Sequence, residues 1–149
     1  MDYFYLDGVE RKVCDIKRRR FCNNKNDSNE CANLVRVGRK KATSSLLDAY
    51  VLEGEAIPRE GELTIVEDWD GNKVCVVKVV DVQILSLSEV SVQHAIMEGE
   101  GDCTLAFWRK AHDSAFRSDC EEYDIEYNEE RLIVFEVFEV VHDFISNRN

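Results

Sequence analysis

The sequence predicts an α+β domain, a small and partly open β-barrel flanked by short helices. Three observations lead there. Residues 73–85 and 131–141 are long runs rich in Val, Ile and Phe, the composition of strands on a half-buried sheet. Asp70-Gly71-Asn72 stands between two strand-like runs and is a hairpin signal. The segments with helical spacing are short, so long strands with few apolar helices favour a curled sheet over a helical bundle.

Each element follows from local chemistry. Residues 29–37 read as a short helix that Asp27 or Ser28 can cap and that Gly38 ends. Thr43 or Ser44 can cap a second helix over residues 45–54, closing at Gly54. That makes Gly38 to Thr43 a turn between two helices, with backbone N–H groups free to hold an anion or a carbonyl oxygen. Residues 62–69 read as a strand, and 73–85 as its hairpin partner. Residues 88–98 are expected to be helical, with Ser88 as the cap. Glu98 to Asp102 is an acidic, glycine-rich break, and helix resumes over 105–116. A strand over 131–141 closes the domain. Pro58 lies in a polar loop between two halves of one domain.

The chain has 149 residues, a length that suggests one domain with a core of its own. No apolar run approaches the ~20 residues of a membrane span, and the polar start 1–12 has no signal core. A cytoplasmic location is expected. The six cysteines show no CxxC or paired Cys/His spacing, so free thiols are expected and a zinc site is not. The net charge of −11 is uneven: residues 11–41 carry +8 and the remainder −19. A local basic site on a repelling body suits a small anion, a nucleotide or a short strand, not a long duplex.

Gly38-x-Lys40-x-x-Thr43 resembles the GxKxxT signature of the ASCH family, whose members are small β-barrels similar to the PUA domain of RNA-modifying enzymes. His94-Ala95-x-x-Glu98-Gly99-Glu100-Gly101-Asp102, followed by Leu105-Ala106-Phe107-Trp108-Arg109, is similar to the second signature of a bacterial stand-alone subgroup. The resemblance runs from about Phe21 to Val141. It implies an ASCH domain over 21–149 after an unassigned extension, 1–20. The subgroup usually has Phe-Gly-Asp where this chain has Phe21-Cys22-Asn23.

The resemblance implies a cleft lined by the GxKxxT segment and the glutamate of HAxxE. Family members are regarded as RNA-binding modules. One small bacterial relative hydrolyses the amide of N4-acetylcytidine, and another member is described as a ribonuclease. An amidohydrolase acting on N-acylated pyrimidine nucleosides is therefore one expectation. A non-catalytic RNA- or nucleotide-binding module, or a ribonuclease, is the alternative. Either way the partner is a modified nucleoside or short single-stranded RNA, with neither cofactor nor metal.

The catalytic candidates are Lys40, Thr43 and Glu98. Lys40 can bind phosphate as an ammonium or, desolvated, act as a base for Thr43 or water. Thr43 can be a nucleophile, a donor to a carbonyl, or a helix cap. Glu98, at a helix end where the dipole disfavours a carboxylate, can protonate a leaving amine or pair with Lys40. Arg39, Ser44, Trp108 and Arg109 are the candidates for holding substrate; Trp108 and His112 share a helix face. Glu100 and Asp102 read as solvated acids.

Overall fold

The computed structural model describes residues 2–146. Its main sheet has five strands: β3 (Lys17–Arg20), β5 (Leu63–Glu67), β6 (Lys73–Ser86), β7 (Leu132–Asp143) and β4 (Ala42–Leu46), in that spatial order. The β3–β5 pair is parallel, and the other pairs are antiparallel. The two long strands β6 and β7 form the spine. Their register shifts between Val76 and Val77 and between Val79 and Asp81. Such bulges bend a strand and increase its twist, and here the sheet curls into a half-barrel. The curl brings Arg19, on one edge strand, to Glu136 on the strand beside the other edge, 3.0 Å away.

A separate hairpin, β1 (Tyr3–Leu6) and β2 (Val9–Lys12), precedes the sheet. Its turn is Asp7-Gly8, both at positive φ, the form that suits the twist of a two-residue hairpin. Alternation along β5 and β6 supplies two apolar faces. Ile65 and Val76 pack with Phe4 and Val13 of the N-terminal segment. Val66, Cys75 and Val77 pack with Cys31, Ala32 and Val35 of α1 (Lys25–Arg36).

The other helices are α2 (Leu47–Glu53), α3 (Val92–Glu98) and α4 (Leu105–Glu122). In α4, Trp108, Phe116 and Cys120 recur on one face and pack with Leu46, Leu87 and Ile133. Thr104 caps α4 by accepting the Phe107 N–H.

Most expected elements are present; α4 runs on to Glu122 rather than ending at 116, and three others differ in cap or state. The first helix starts earlier, because Asn24 rather than Asp27 or Ser28 is its cap and accepts the Asp27 N–H. The third is capped by Ser91, in a reciprocal pair with His94, and Ser88 lies in a short 3-10 turn before it. The largest difference is at Thr43 and Ser44. They cap nothing: both lie in β4, and α2 begins only at Leu47 without a side-chain cap. The Ala-Thr-Ser-Ser-Leu segment has weak preferences, and pairing with β7 decides its state. The helix N–H groups expected to face the site are therefore not there.

The two signature segments interlock through backbone. Lys41 N–H donates to the Met97 carbonyl at 2.7 Å. Gly99, at φ +67, ends α3 so close to Arg39 that a Cβ would lie 2.2 Å from the Arg39 carbonyl oxygen. Gly54 also has positive φ, but open space surrounds it. Gly99→Ala is expected to cost about 3–5 kcal/mol, combining overpacking with left-handed strain, and Gly54→Ala only about 1–2 kcal/mol. Urea denaturation of both variants checks the contrast.

Candidate functional site

Lys40 and Glu98 meet where the two segments cross. Their side chains are each 1% exposed, and Lys40 Nζ lies 3.4 Å from Glu98 Oε1. Strand spacing sets Lys40, Ala42 and Ser44 on one side of the chain. Ser44 Oγ donates to Glu98 Oε2 at 2.6 Å. From α4, the Trp108 indole N–H donates to the same oxygen at 2.6 Å. His112, one turn on, places Nε2 3.2 Å from Glu98 Oε1. Lys40 also reaches Glu100 Oε1 at 3.0 Å, and Cys31 Sγ donates to that oxygen at 3.1 Å.

The charges balance. His112 Nδ1 faces the Trp108 carbonyl at 2.9 Å while Nε2 faces Glu98. Both neighbours are acceptors, so the doubly protonated imidazolium fits the geometry best. Two cations, Lys40 and His112, then face two carboxylates, Glu98 and Glu100. Burial works against charge on Glu98, but hydrogen bonds from His112 and Ser44 and the Lys40 ammonium overcome it and hold the carboxyl down at about 2. Burial likewise works against the His112 and Lys40 cations, but Glu98 raises both, with Glu100 adding to the effect.

These directions revise the expected roles. Lys40 is raised rather than lowered here: burial works against its charge, and Glu98 and Glu100 outweigh it. Glu98 is held below the ordinary carboxylate range, with both oxygens occupied by protein partners. Glu100 is not a solvated acid but the second partner of Lys40. Glu98, Glu100 and His112 have ligand atoms within 4.8 Å of one another, a spacing that can hold a metal ion. The Lys40 ammonium already supplies the positive charge both carboxylates need.

The other predicted residues are placed as follows. Thr43 points to the opposite side of β4 from Ser44, cross-strand from Glu136. Arg39 donates from Nε and Nη2 to the Gly99 and Gly101 carbonyls, so it clamps the glycine loop. Arg109 donates to the carbonyls of Leu87 and Val90. With Trp108, it also borders a surface hollow of about 370 Å³ lined further by Ala106, Lys110 and Tyr127. The structure thus unites Lys40, Ser44, Glu98 and Trp108, and leaves Thr43, Arg39 and Arg109 outside that cluster.

Other groups around the site were not among the sequence candidates. Glu136 is buried and takes Arg19 Nη1 on both oxygens, at 3.0 and 3.1 Å. The Phe21 ring lies between two cations, 5.4 Å from the Arg19 guanidinium and 5.6 Å from the Lys40 ammonium. Arg20 stacks 4.5 Å from the Trp69 ring centroid. No local pattern joins Arg19 to Glu136, since only the curl of the sheet brings them together. His112 was within reach, being four residues after Trp108 on a helix.

The fold and the paired segments are those of one family. The ASCH domain model matches residues 6–142, and the chain belongs to that family. Among solved structures, it is similar to an ASCH domain from Lactobacillus crispatus JV V101. The two share 38% identity at a TM-score of 0.83, over 85% of this chain and 80% of that one. It is also similar to a protein of Enterococcus faecalis V583, with 29% identity and a TM-score of 0.80 over 87% of this chain and 78% of that one. No curated protein matches the sequence. Among the described residues, no helix is long and apolar enough to cross a membrane. All six cysteines are free thiols.

Removing one member of the buried pair strands the other. Lys40→Met and Glu98→Gln are each expected to lose about 3–5 kcal/mol of stability, read by urea denaturation. The pH dependence has two limbs. Glu98 is lowered from 4.5 to about 2, so its contribution is present above 4.5 and fades as pH falls towards 2. His112 is raised above 6.5, so its contribution is complete below that value and is lost as pH rises through the higher folded value. His112→Gln should flatten the alkaline limb and, because His112 is the donor that most lowers Glu98, also shrink the acid limb without abolishing it, since Lys40 and Ser44 remain. Unfolding free energy measured across that range checks it.

Proposed function

We propose that this chain binds single-stranded RNA or a modified nucleoside along the seam of its half-barrel, between the edge strands β3 and β4. The carrying observation is what borders that seam. One edge is Lys17-Arg18-Arg19-Arg20, and the other presents Thr43, Ser44 and Ser45. Edge strands keep one row of backbone donors and acceptors unpaired, which suits the edges of an unstacked base. Cations on the facing edge suit its phosphates.

Three of these cations pair with acids: Lys17 with Glu62, Arg18 with Glu67, and Arg19 with Glu136. The Lys17 and Arg18 pairs are largely exposed, and such pairs contribute little, so a phosphate can displace the carboxylate. Arg20 on the Trp69 ring offers a stacking surface of the kind that holds bases without reading sequence. The buried Lys40–Glu98 cluster supports this reading over chemistry, because each of its charged groups is already met by a protein partner.

One observation favours hydrolysis as a second reading. Ser44, half-buried, donates a short hydrogen bond to Glu98 beside the Lys40 ammonium. A hydroxyl on a carboxylate is the beginning of a nucleophile. In that case Ser44, rather than Thr43, is the group available to attack an N-acyl carbonyl.

Fluorescence anisotropy with a labelled single-stranded oligouridylate tests the binding reading. Binding should weaken with salt, and Arg18→Gln with Arg20→Gln should lower the salt slope by about 1 for each lost phosphate contact. Binding that ignores both substitutions, or none at low salt, would sink it. Hydrolysis of N4-acetylcytidine, followed by ultraviolet absorbance, tests the second reading. Turnover lost in Ser44→Ala would move the assignment to an amidohydrolase.

A further inference from the structure

Cys22 occupies a position that a side chain disfavours. Its φ is +62, in the left-handed region where glycine is the usual residue. It follows Phe21, at the wall of the site, and its thiol is exposed. Its sulfur lies 3.7 Å from that of Cys31, which is buried in α1. No other pair among the six cysteines has a sulfur–sulfur contact between described residues.

We propose that Cys22 and Cys31 are a redox-active dithiol, a modification site that low-molecular-weight disulfides convert to an intramolecular disulfide. The sulfurs must close by about 1.7 Å to reach bonding distance. Cys22 lies outside β3 and α1, so its side chain can make that movement without breaking a helix or a strand.

The steps balance. The Cys22 thiolate attacks one sulfur of the small disulfide, whose S–S bond breaks. One thiolate leaves and takes up a proton, and Cys22 carries the mixed disulfide. Cys31 then gives up its proton and attacks the Cys22 sulfur, expelling the second small thiol. Two cysteine thiols are oxidised by two electrons, and one disulfide is reduced to two thiols.

The order of attack follows from exposure and hydrogen bonding. Cys22 is accessible, and a hydrogen bond from Cys31 pulls its thiol below the ordinary value against the opposing effect of burial. The single Cys31 S–H lies within reach of two acceptors, Cys22 Sγ and Glu100 Oε1. Given to Cys22 it favours the thiolate; given to Glu100 it completes the set around Lys40. Oxidation removes that proton from both, so the disulfide takes a donor away from the carboxylate that partners Lys40.

The full chain is equilibrated with mixtures of glutathione and its disulfide, quenched by alkylation, and mapped by peptide mass. A Cys22–Cys31 linked peptide, two hydrogens lighter than the reduced pair, is expected. Cys75 and Cys120, both buried, should stay reduced. Cys22→Gly suits the backbone angle and leaves the fold in place, so it should abolish the linked peptide. Cys31→Ser should leave a persistent glutathione adduct at Cys22. A persistent adduct at Cys22 in the wild type would overturn the proposal. Linkage of Cys22 to Cys14 or Cys103 in place of Cys31 would do the same.

Discussion

The buried ion pair between Lys40 and Glu98 joins the two halves of this chain. It lies at the crossing of the segment before β4 and the end of α3, and neither charge could persist there alone. Lys40 is enclosed, with Glu98 at the end of α3 and Phe21 in the β3–α1 connection beside it. It remains charged because Glu98 and Glu100 face it. Glu98 in turn draws Ser44 from β4 and Trp108 and His112 from α4. A single carboxylate thereby sets the relative positions of a strand and two helices. Low polarity makes such a network costly to break and specific in the geometry it permits.

Around that lock the glycines are geometric necessities. Gly99 permits α3 to end against the Arg39 carbonyl at a distance no Cβ allows. Arg39 then holds the loop by its own side chain, donating to Gly99 and Gly101. The spacing of GxKxxT and HAxxEGEGD thus describes one structural joint as much as one chemical site. That is why residues expected to touch a ligand, Arg39 and Glu98 among them, are occupied with protein partners. Groups that remain partly exposed lie beside the joint, along the two edges of the half-barrel.

Residues 3–20 show how charge and packing share one segment. Phe4 and Val13 bury themselves under β5 and β6, while β3 adds a parallel strand to the sheet. The same strand carries four consecutive cations, each with an acidic or aromatic neighbour. Four of the cations of residues 11–41 therefore stand side by side at one edge of the sheet, on a body otherwise strongly acidic.

The strands β5, β6 and β7, the hairpin between the first two and the ends of α2 and α3 were legible in the sequence, because β-branched runs and left-handed glycines act locally. Lys40 and Glu98 were legible as a pair only through their motifs. The state of Thr43 and Ser44 was not legible. A short hydroxyl-rich run can cap a helix or extend as a strand, and long-range pairing with β7 makes the choice. Nor could the sequence supply the meeting of Lys40 with both Glu98 and Glu100, or the union of Arg19 with Glu136 across the curl. The sequence by itself determined the three central strands β5, β6 and β7 and where the ionisable residues stand along the chain. Only the tertiary structure decided which charges meet, because electrostatic and hydrogen-bond energies depend on distances that chain order does not set.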